Sequence, residues 1–179
     1  MSRIGNKHIP IPAGVEVKIA GSLITVKGPK GVLSRDIGKE IVCKQDGSAL
    51  IFTRPNEEKE TRAKHGLYRA LVNNMVVGVT TGFSRTLVTN GIGYRIQVNG
   101  NKLVLNIGYS HPIEIIAPAG IKIECPNATD ILVSGIDKEL VGQVSADIKA
   151  ERPVEPYHAY GIRYKEEVVV LKEGKKTGK

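Results

Sequence analysis

Short stretches in which apolar and polar residues alternate predict several β-strands in this chain. Residues 15–19 show the alternation, and residues 121–125 repeat it much later in the sequence. Successive side chains of a strand point to opposite faces, so each stretch has one apolar face to bury and one polar face for solvent. Turn-forming pairs such as Asn99-Gly100 separate further predicted strands at 24–28, 32–37, 49–53, 95–98, 102–107 and 131–135.

Two longer segments have the three- and four-residue spacing of apolar side chains that is typical of helices. The first runs from a cap at Asn56 to a stop at Gly78, and its apolar stripe is Ala63, Leu67, Ala70, Leu71 and Met75. The second runs from a cap at Asp137 to Pro153, and its stripe is Leu140, Val141, Val144 and Ile148. Each helix therefore has one face that strands must cover.

The sequence also repeats itself. The stretch PAGVEVKIAGSLITVKG from Pro12 resembles PAGIKIECPNATDILVSG from Pro118, at a spacing of 118 − 12 = 106 residues. This period is about the size of a small domain, so we predict a tandem duplication with a join near Gly82. The predicted fold class is α+β, with domains at 1–82 and 83–179 that are each a mostly antiparallel sheet packed against one helix.

The net charge favours a polyanionic partner. The formal value of +8 attracts nucleic acid or an anionic membrane surface. Basic residues exceed acidic ones by 13 − 7 = +6 in residues 1–82 and by 13 − 11 = +2 in residues 83–179, where four lysines concentrate in residues 172–179. A membrane adaptor is disfavoured, because no basic amphipathic helix carries Trp or Phe on its apolar face. With no signal peptide or apolar span, we expect a cytoplasmic protein with no membrane partner.

Motifs for catalysis or metal binding are absent from the sequence. The histidines are dispersed, with none in a metal-binding frame: His8, His65, His111 and His158. Cys43 and Cys125 are too far apart for a zinc knuckle and are expected to be free buried thiols. We therefore predict no catalytic residue, metal, cofactor or small-molecule substrate. The alternative is a small enzyme of RNA metabolism that holds its substrate on a basic face.

The segment from Val154 to Lys179 combines aromatic and cationic side chains. Pro153, directly before the segment, and Pro156 within it stiffen its start, and a strand is predicted at Gly161–Tyr164. The alternation of that strand places Arg163 and Lys165 on one face, and Tyr160, Ile162 and Tyr164 on the other. Residues 168–171 are predicted to form a buried strand, beyond which glycine-spaced lysines continue to the last residue.

Several of these side chains are predicted to bind RNA. Tyr157 and His158 lie in a proline-bounded loop, where a ring can stack on an unpaired base. For Tyr160 and Tyr164, core packing and RNA contact are both open. The lysines are expected to neutralise phosphates. The full set predicted here is Arg152, Tyr157, His158, Tyr160, Arg163, Tyr164, Lys165, Lys172, Lys175, Lys176 and Lys179.

Other basic residues lie in the first half of the chain. Lys64, His65 and Arg69 fall off the predicted stripe of the first helix, so they form either a second RNA-binding face or a solvated surface. Arg3 and Lys7 precede the first strand and form either an ordered arm on RNA or a frayed terminus.

Six motifs in this order resemble bacterial large-ribosomal-subunit protein L6. They are MSRIG at the start, VKGPKG at 26–31, HGL at 65–67, NIGYSHP at 106–112, VSGIDKELVGQV at 133–144 and PYHAYGIRY at 156–164. The match covers essentially the whole chain. The resemblance implies a non-catalytic protein that binds large-subunit (23S) ribosomal RNA mainly through its C-terminal domain. It also implies a position near the sarcin–ricin loop, with neighbouring ribosomal proteins as partners and translational GTPases transiently close.

One departure from the family pattern affects the expected contacts. The family's C-terminal signature falls on 156–158 and 161–164, but its usual Gly-Lys pair is replaced here by Ala159-Tyr160. The resemblance therefore carries no lysine–phosphate contact over to this position. His158 stands where the family usually has lysine. Arg163 and Lys165 would have to supply more of the local charge.

Overall fold

The computed structural model describes residues 3–175. The first unit comprises the residues up to Gly82 together with residues 136–138, and the second unit comprises the other residues from Phe83 onward. The first unit contains β1 (Ile9–Pro10), β2 (Glu16–Ala20), β3 (Leu23–Gly28), β4 (Gly31–Asp36), β5 (Val42–Asp46), β6 (Ala49–Thr53) and α1 (Lys59–Thr80). The second contains β7 (Phe83–Asn90), β8 (Arg95–Asn99), β9 (Lys102–Asn106), β10 (Ile113–Ile116), β11 (Ile121–Glu124), β12 (Asp130–Gly135), α2 (Lys138–Glu151) and β13 (Gly161–Tyr164).

The α+β class with one helix in each unit is confirmed, but each unit has two sheets and not one. The first unit has the sheets β1-β6-β5 and β2-β3-β4, and the second has β11-β12-β7-β13 and β8-β9-β10. Neighbouring strands in all four sheets are antiparallel. The alternation found most of these strands. It missed β1, β5, β7 and β10, in which the apolar and polar positions alternate less clearly or the strand is very short.

The duplication is confirmed, but the predicted alignment of its two copies is wrong. Both units run through six strands and then a helix, and β2-β3-β4 corresponds in order to β8-β9-β10. The helices begin at Lys59 and Lys138, so the period is 138 − 59 = 79 residues. Pro12 and Pro118 resemble each other because each starts the same tight turn, with φ of 85° at Gly14 and 87° at Gly120. A shared turn thus produced the misleading similarity.

The buried face of helix α1 shares only Met75 with the predicted stripe. Its buried side is Thr61, His65, Arg69, Val72, Met75, Val76, Gly78 and Val79, whereas Leu67 of the predicted stripe is 53% exposed. Val72, Met75, Val76 and Val79 pack with strand residues such as Ile24 and Leu50 in the core of the first unit. Glu58 is the N-cap residue in place of Asn56, and the helix continues through Gly78 to Thr80.

His65 and Arg69 therefore do not form an exposed basic face. The Nε2 of His65 lies 3.0 Å from the carbonyl oxygen of Phe52, which can only accept, so Nε2 carries the proton. Its Nδ1 then accepts from Arg54 at 3.2 Å. Arg69 donates to the carbonyl oxygens of Lys7 at 2.9 Å and His8 at 3.3 Å. Arg69 therefore fastens the segment before β1 to α1, whereas His65 joins α1 to β6. Both side chains are buried, so they are unavailable for RNA.

We expect Arg69→Met to destabilise the first unit by about 2 kcal/mol, because two charge-assisted hydrogen bonds to the backbone are lost. Urea unfolding measures this change. Arg62→Met, on the exposed side of the same helix, is the matched control and should change stability by less than about 0.5 kcal/mol. Equal effects of the two substitutions would show that Arg69 does not hold the N-terminal segment.

Helix α2 matches its prediction more closely. It begins directly after Asp137 and ends at Glu151, two residues before Pro153. Val141, Val144 and Ile148 pack on Leu87, Ile131 and Ile162 in the core of the second unit, while Leu140 is partly exposed. Because Ile162 lies in β13, this core fixes the strand that carries the predicted RNA-binding segment.

Candidate nucleic-acid interface

Residues 152–160 connect α2 to β13, and we call them the proline loop. The N–H of Ile162 donates to the carbonyl oxygen of Arg152 at 2.8 Å, and the N–H of Glu155 donates to that of Tyr160 at 3.0 Å. Pro153 also bridges to Ile162 in parallel. These bonds close the loop at its base, so the side chains at its outer end have a defined position.

The carboxylate of Glu155 organises the outer end of the proline loop. It accepts hydrogen bonds from the backbone N–H groups of Tyr157 at 3.2 Å and His158 at 2.5 Å, with that of Tyr160 at 3.5 Å. Partial burial raises the pKa of Glu155, but the backbone donors outweigh it and the pKa is lowered overall. The ionised carboxylate therefore favours this loop conformation.

Two rings of the proline loop are presented to solvent. Tyr157 is 51% exposed, and His158 is exposed as well. The imidazole of His158 stacks on the half-buried ring of Tyr160, with centroids 5.4 Å apart and an angle of 17° between the planes. An exposed, positioned ring is suited to stacking on an unpaired base. Contact of Tyr157 and His158 with RNA stays a prediction.

Arg152 has an internal role. Its guanidinium carbon lies 5.0 Å from the ring centroid of Tyr109, whose hydroxyl donates to the carbonyl oxygen of Glu151 at 2.9 Å. Tyr109 first, and then Tyr94, raise the pKa of Arg152. Arg152 thus links the loops that contain Tyr94 and Tyr109 to the proline loop, and it positions the surface more than it adds charge to it.

Arg163 and Tyr164 are also held within the second unit. Arg163 donates to the carbonyl oxygen of Glu167 at 3.0 Å. The ring of Tyr164 has the guanidinium carbon of Arg85 at 4.2 Å and the Nζ of Lys149 at 4.9 Å from its centroid. Lys149 in turn lies 2.6 Å from the carboxylate of Glu167 and lowers its pKa. Tyr164 therefore packs, while Lys165 beyond it is exposed.

The predicted buried strand at 168–171 is wrong. Val168 is 87% exposed and Leu171 is 56% exposed, and the segment has no strand pairing. The chain here lies against the proline loop, since the N–H of Lys172 donates to the carbonyl oxygen of Pro156 at 2.8 Å. This bond brings the start of the lysine-rich segment to the same surface as Tyr157.

Three lysines of this region are exposed. Lys165 lies 3.8 Å from Asp130, a loose pair at a side chain that is 65% exposed. Lys172 and Lys175 are exposed too, whereas Lys176 and Lys179 lie outside the described residues. We call Tyr157, His158, Lys165, Lys172 and Lys175 the C-terminal surface. It combines aromatic rings with exposed cations, which suits the bases and phosphates of an RNA.

Comparison with known proteins identifies the family. The sequence model of ribosomal protein L6 matches residues 11–82 and again residues 90–165. The chain belongs to the ribosomal protein L6 family. It is 54% identical over 179 residues to large ribosomal subunit protein uL6 of Enterococcus faecalis, covering all of both chains. It is 55% identical to uL6 of Shouchella clausii, again over all of both chains, and 53% identical to uL6 of Carboxydothermus hydrogenoformans, over 98% of that protein.

The two matched ranges of the L6 family start 90 − 11 = 79 residues apart, which is the period that separates the two helices. The repeat therefore belongs to the family. Membership in the ribosomal protein L6 family confirms the expectation that the chain is not an enzyme. Within residues 3–175, no group of three or more His, Cys, Asp or Glu side chains is arranged to hold a metal ion. The helices of that part are too short or too polar to span a membrane.

The residues of the first unit that were predicted to bind RNA do not belong to the C-terminal surface of this L6-family protein. Arg3 and Lys7 are exposed in a turn before β1, and Arg69 holds that segment in an ordered position. Lys64 is paired with both carboxylate oxygens of Glu40 at 2.9 Å, and this pairing raises its pKa. Sequence reasoning missed Glu155, whose position between Pro153 and Pro156 was the available signal.

We expect the proline loop to lose its order in acid. The pKa of Glu155 is lowered in the folded protein, so its contribution is complete above the ordinary carboxyl pKa of about 4.3 and is lost as pH falls below that range. NMR amide shifts of Tyr157 and His158 measure the change. Glu155→Gln should show the altered shifts already at pH 7, whereas Glu166→Gln, an exposed neighbour in the sequence, should not. Unchanged shifts in Glu155→Gln would contradict this role.

Proposed function

We propose that this chain is a structural constituent of the large ribosomal subunit and binds large-subunit ribosomal RNA mainly through residues 83–179. Membership in the L6 family supports the ribosomal role, and the names of the relatives place those proteins in the large subunit. The protein acts in the cytoplasm, on the ribosome. The observation that carries the RNA assignment is the C-terminal surface, where a braced aromatic loop and exposed lysines meet.

The finer position follows from the family resemblance. We propose that the C-terminal surface lies near the sarcin–ricin loop, close to the site where translational GTPases bind, with neighbouring ribosomal proteins around it. The first unit then serves as a second rigid platform, with Arg3 and Lys7 as its candidate RNA contacts. In this arrangement the protein supports subunit assembly and the geometry of the factor-binding region.

Binding of the purified protein to protein-free large-subunit rRNA tests the proposal. If about six phosphates are neutralised, the affinity should fall by roughly two or more orders of magnitude between low and physiological salt. Nuclease footprinting should protect one defined site, close to the sarcin–ricin loop. Equal affinity for small-subunit rRNA, or an affinity that does not depend on salt, would contradict the proposal.

A further inference from the structure

A second loop lies beside the proline loop and presents a large apolar side chain. Residues 91–94 connect β7 to β8, and we call them the tip loop. Its Ile92 is 86% exposed. Single exposed apolar residues are common on proteins and need no explanation alone. The features that distinguish Ile92 are the rigidity of its loop and the position of that loop.

The tip loop is internally packed. The ring of Tyr94 fills the space beside Gly91, where an added Cβ would lie 2.5 Å from Cζ of that ring. The same ring lies against Gly108, at 3.6 Å from an added Cβ there. Gly93 has a φ of 75°, a conformation that most other residues adopt only with strain. Ile92 is thus exposed on a loop that is already ordered, so little conformational entropy remains to be lost on binding.

The register of the sheet places the tip loop next to the proline loop. Asn90, the last residue of β7, pairs with Gly161, the first residue of β13. The two loops therefore leave the sheet at the same end. The side-chain amide of Asn90 donates to the carbonyl oxygen of Ala159 at 3.1 Å, which joins them directly.

We propose that Ile92 is an RNA contact, which packs against a ribose or an unstacked base next to the nucleotide that Tyr157 meets. The inference rests on the proposed function and extends the C-terminal surface by one apolar element. Two observations favour RNA as the partner of Ile92. The tip loop is hydrogen-bonded to the proline loop, which is proposed to bind RNA, and it is followed by the exposed cation Arg95. Apolar side chains placed against bases are a recurrent part of nucleic-acid recognition.

An apolar contact has a distinct signature. Lysines that meet phosphates release counterions, so their removal lowers the salt dependence of binding. Ile92 carries no charge and releases none. Its removal should therefore weaken binding by the same factor at every salt concentration, which separates this contact from the lysines of the C-terminal surface.

The test measures binding of Ile92→Ala to protein-free large-subunit rRNA over a range of salt. We expect an affinity about tenfold lower at each concentration, as is typical of one lost apolar or stacking contact, with an unchanged salt slope. Ile116→Ala is the matched control. Ile116 is 69% exposed, and its pairing with Lys102 puts it at the end of the β8-β9-β10 sheet away from Arg95. Ile116→Ala should bind the rRNA with the affinity of the unchanged protein. Both variants should have the melting temperature of the unchanged protein.

The outcomes separate this inference from the proposed function. If the unchanged protein does not select large-subunit rRNA, the proposed function fails and the inference with it. If it does select that rRNA but Ile92→Ala binds equally well, the inference alone is overturned. A variant with unchanged rRNA affinity but poor incorporation into subunits would assign Ile92 to a protein contact, which also overturns it.

Discussion

Gly161→Ala is expected to destabilise the second unit by roughly 2–4 kcal/mol, because two penalties combine at this position. Gly161 has a φ of 139°, which residues with a Cβ rarely adopt. An added Cβ would also lie 2.7 Å from Cα of Val154 and 2.8 Å from the carbonyl oxygens of Arg152 and Pro153. All three are backbone atoms of the proline loop, so the loop must move to make room.

Denaturant unfolding measures this loss, and RNA binding should weaken with it because the displaced loop carries Tyr157. Gly100→Ala is the matched control. Gly100 also has a positive φ, 62°, but nothing lies within 4 Å of an added Cβ there. It should lose only about 1 kcal/mol, from backbone strain. Equal losses at the two glycines would show that the close approach of the proline loop to β13 does not contribute.

Replacement of Lys172, Lys175, Lys176 and Lys179 by alanine should give the largest change in RNA affinity. If all four lysines meet phosphates, the slope of log K against log salt should become less steep by about 3, and the affinity at low salt should fall by well over tenfold. The melting temperature should stay within a degree or two, because Lys172 and Lys175 are exposed and add no side chain to the core.

The control for this variant removes the same charge from the first unit. Lys27, Lys39, Lys44 and Lys59 are exposed, and their joint replacement by alanine lowers the net charge equally. If RNA contact is concentrated in the second unit, this control should change the salt slope by less than about 1. Equal changes in the two variants would indicate that binding responds only to net charge.

Most of the strands and the start of α2 could be predicted from the sequence because they depend on local patterns. The alternation at 15–19 and the cap at Asp137 need no knowledge of the rest of the chain. The buried face of α1 could not be predicted in this way. Arg69 is buried because it donates hydrogen bonds to the backbone carbonyl oxygens of Lys7 and His8, whereas Leu67 is on the exposed side of the helix. The pattern of apolar residues does not predict such hydrogen bonds to a distant segment of backbone.

The candidate site was predicted in position but not in its division of roles. The prolines, tyrosines and lysines near the end of the sequence indicated the surface. Arg152 and Arg163 were expected to contact RNA, yet their partners are Tyr109 and the backbone of Glu167. Val168 is apolar but exposed, since no strand pairs with that segment. A basic residue that is exposed to solvent and one that stabilises the fold look alike in a sequence. The difference depends on the contacts that the folded chain gives to each side chain.

Photo-crosslinking from position 157 inside the assembled large subunit tests the central claim most directly. With Tyr157 replaced by a benzoyl-phenylalanine, we predict a crosslink to one defined segment of large-subunit rRNA. A control variant has benzoyl-phenylalanine in place of Val32, which is exposed in the first unit. This variant should give no crosslink to that rRNA segment. If position 157 reacts with no RNA in the assembled subunit, then the proline loop does not face ribosomal RNA and the account is contradicted.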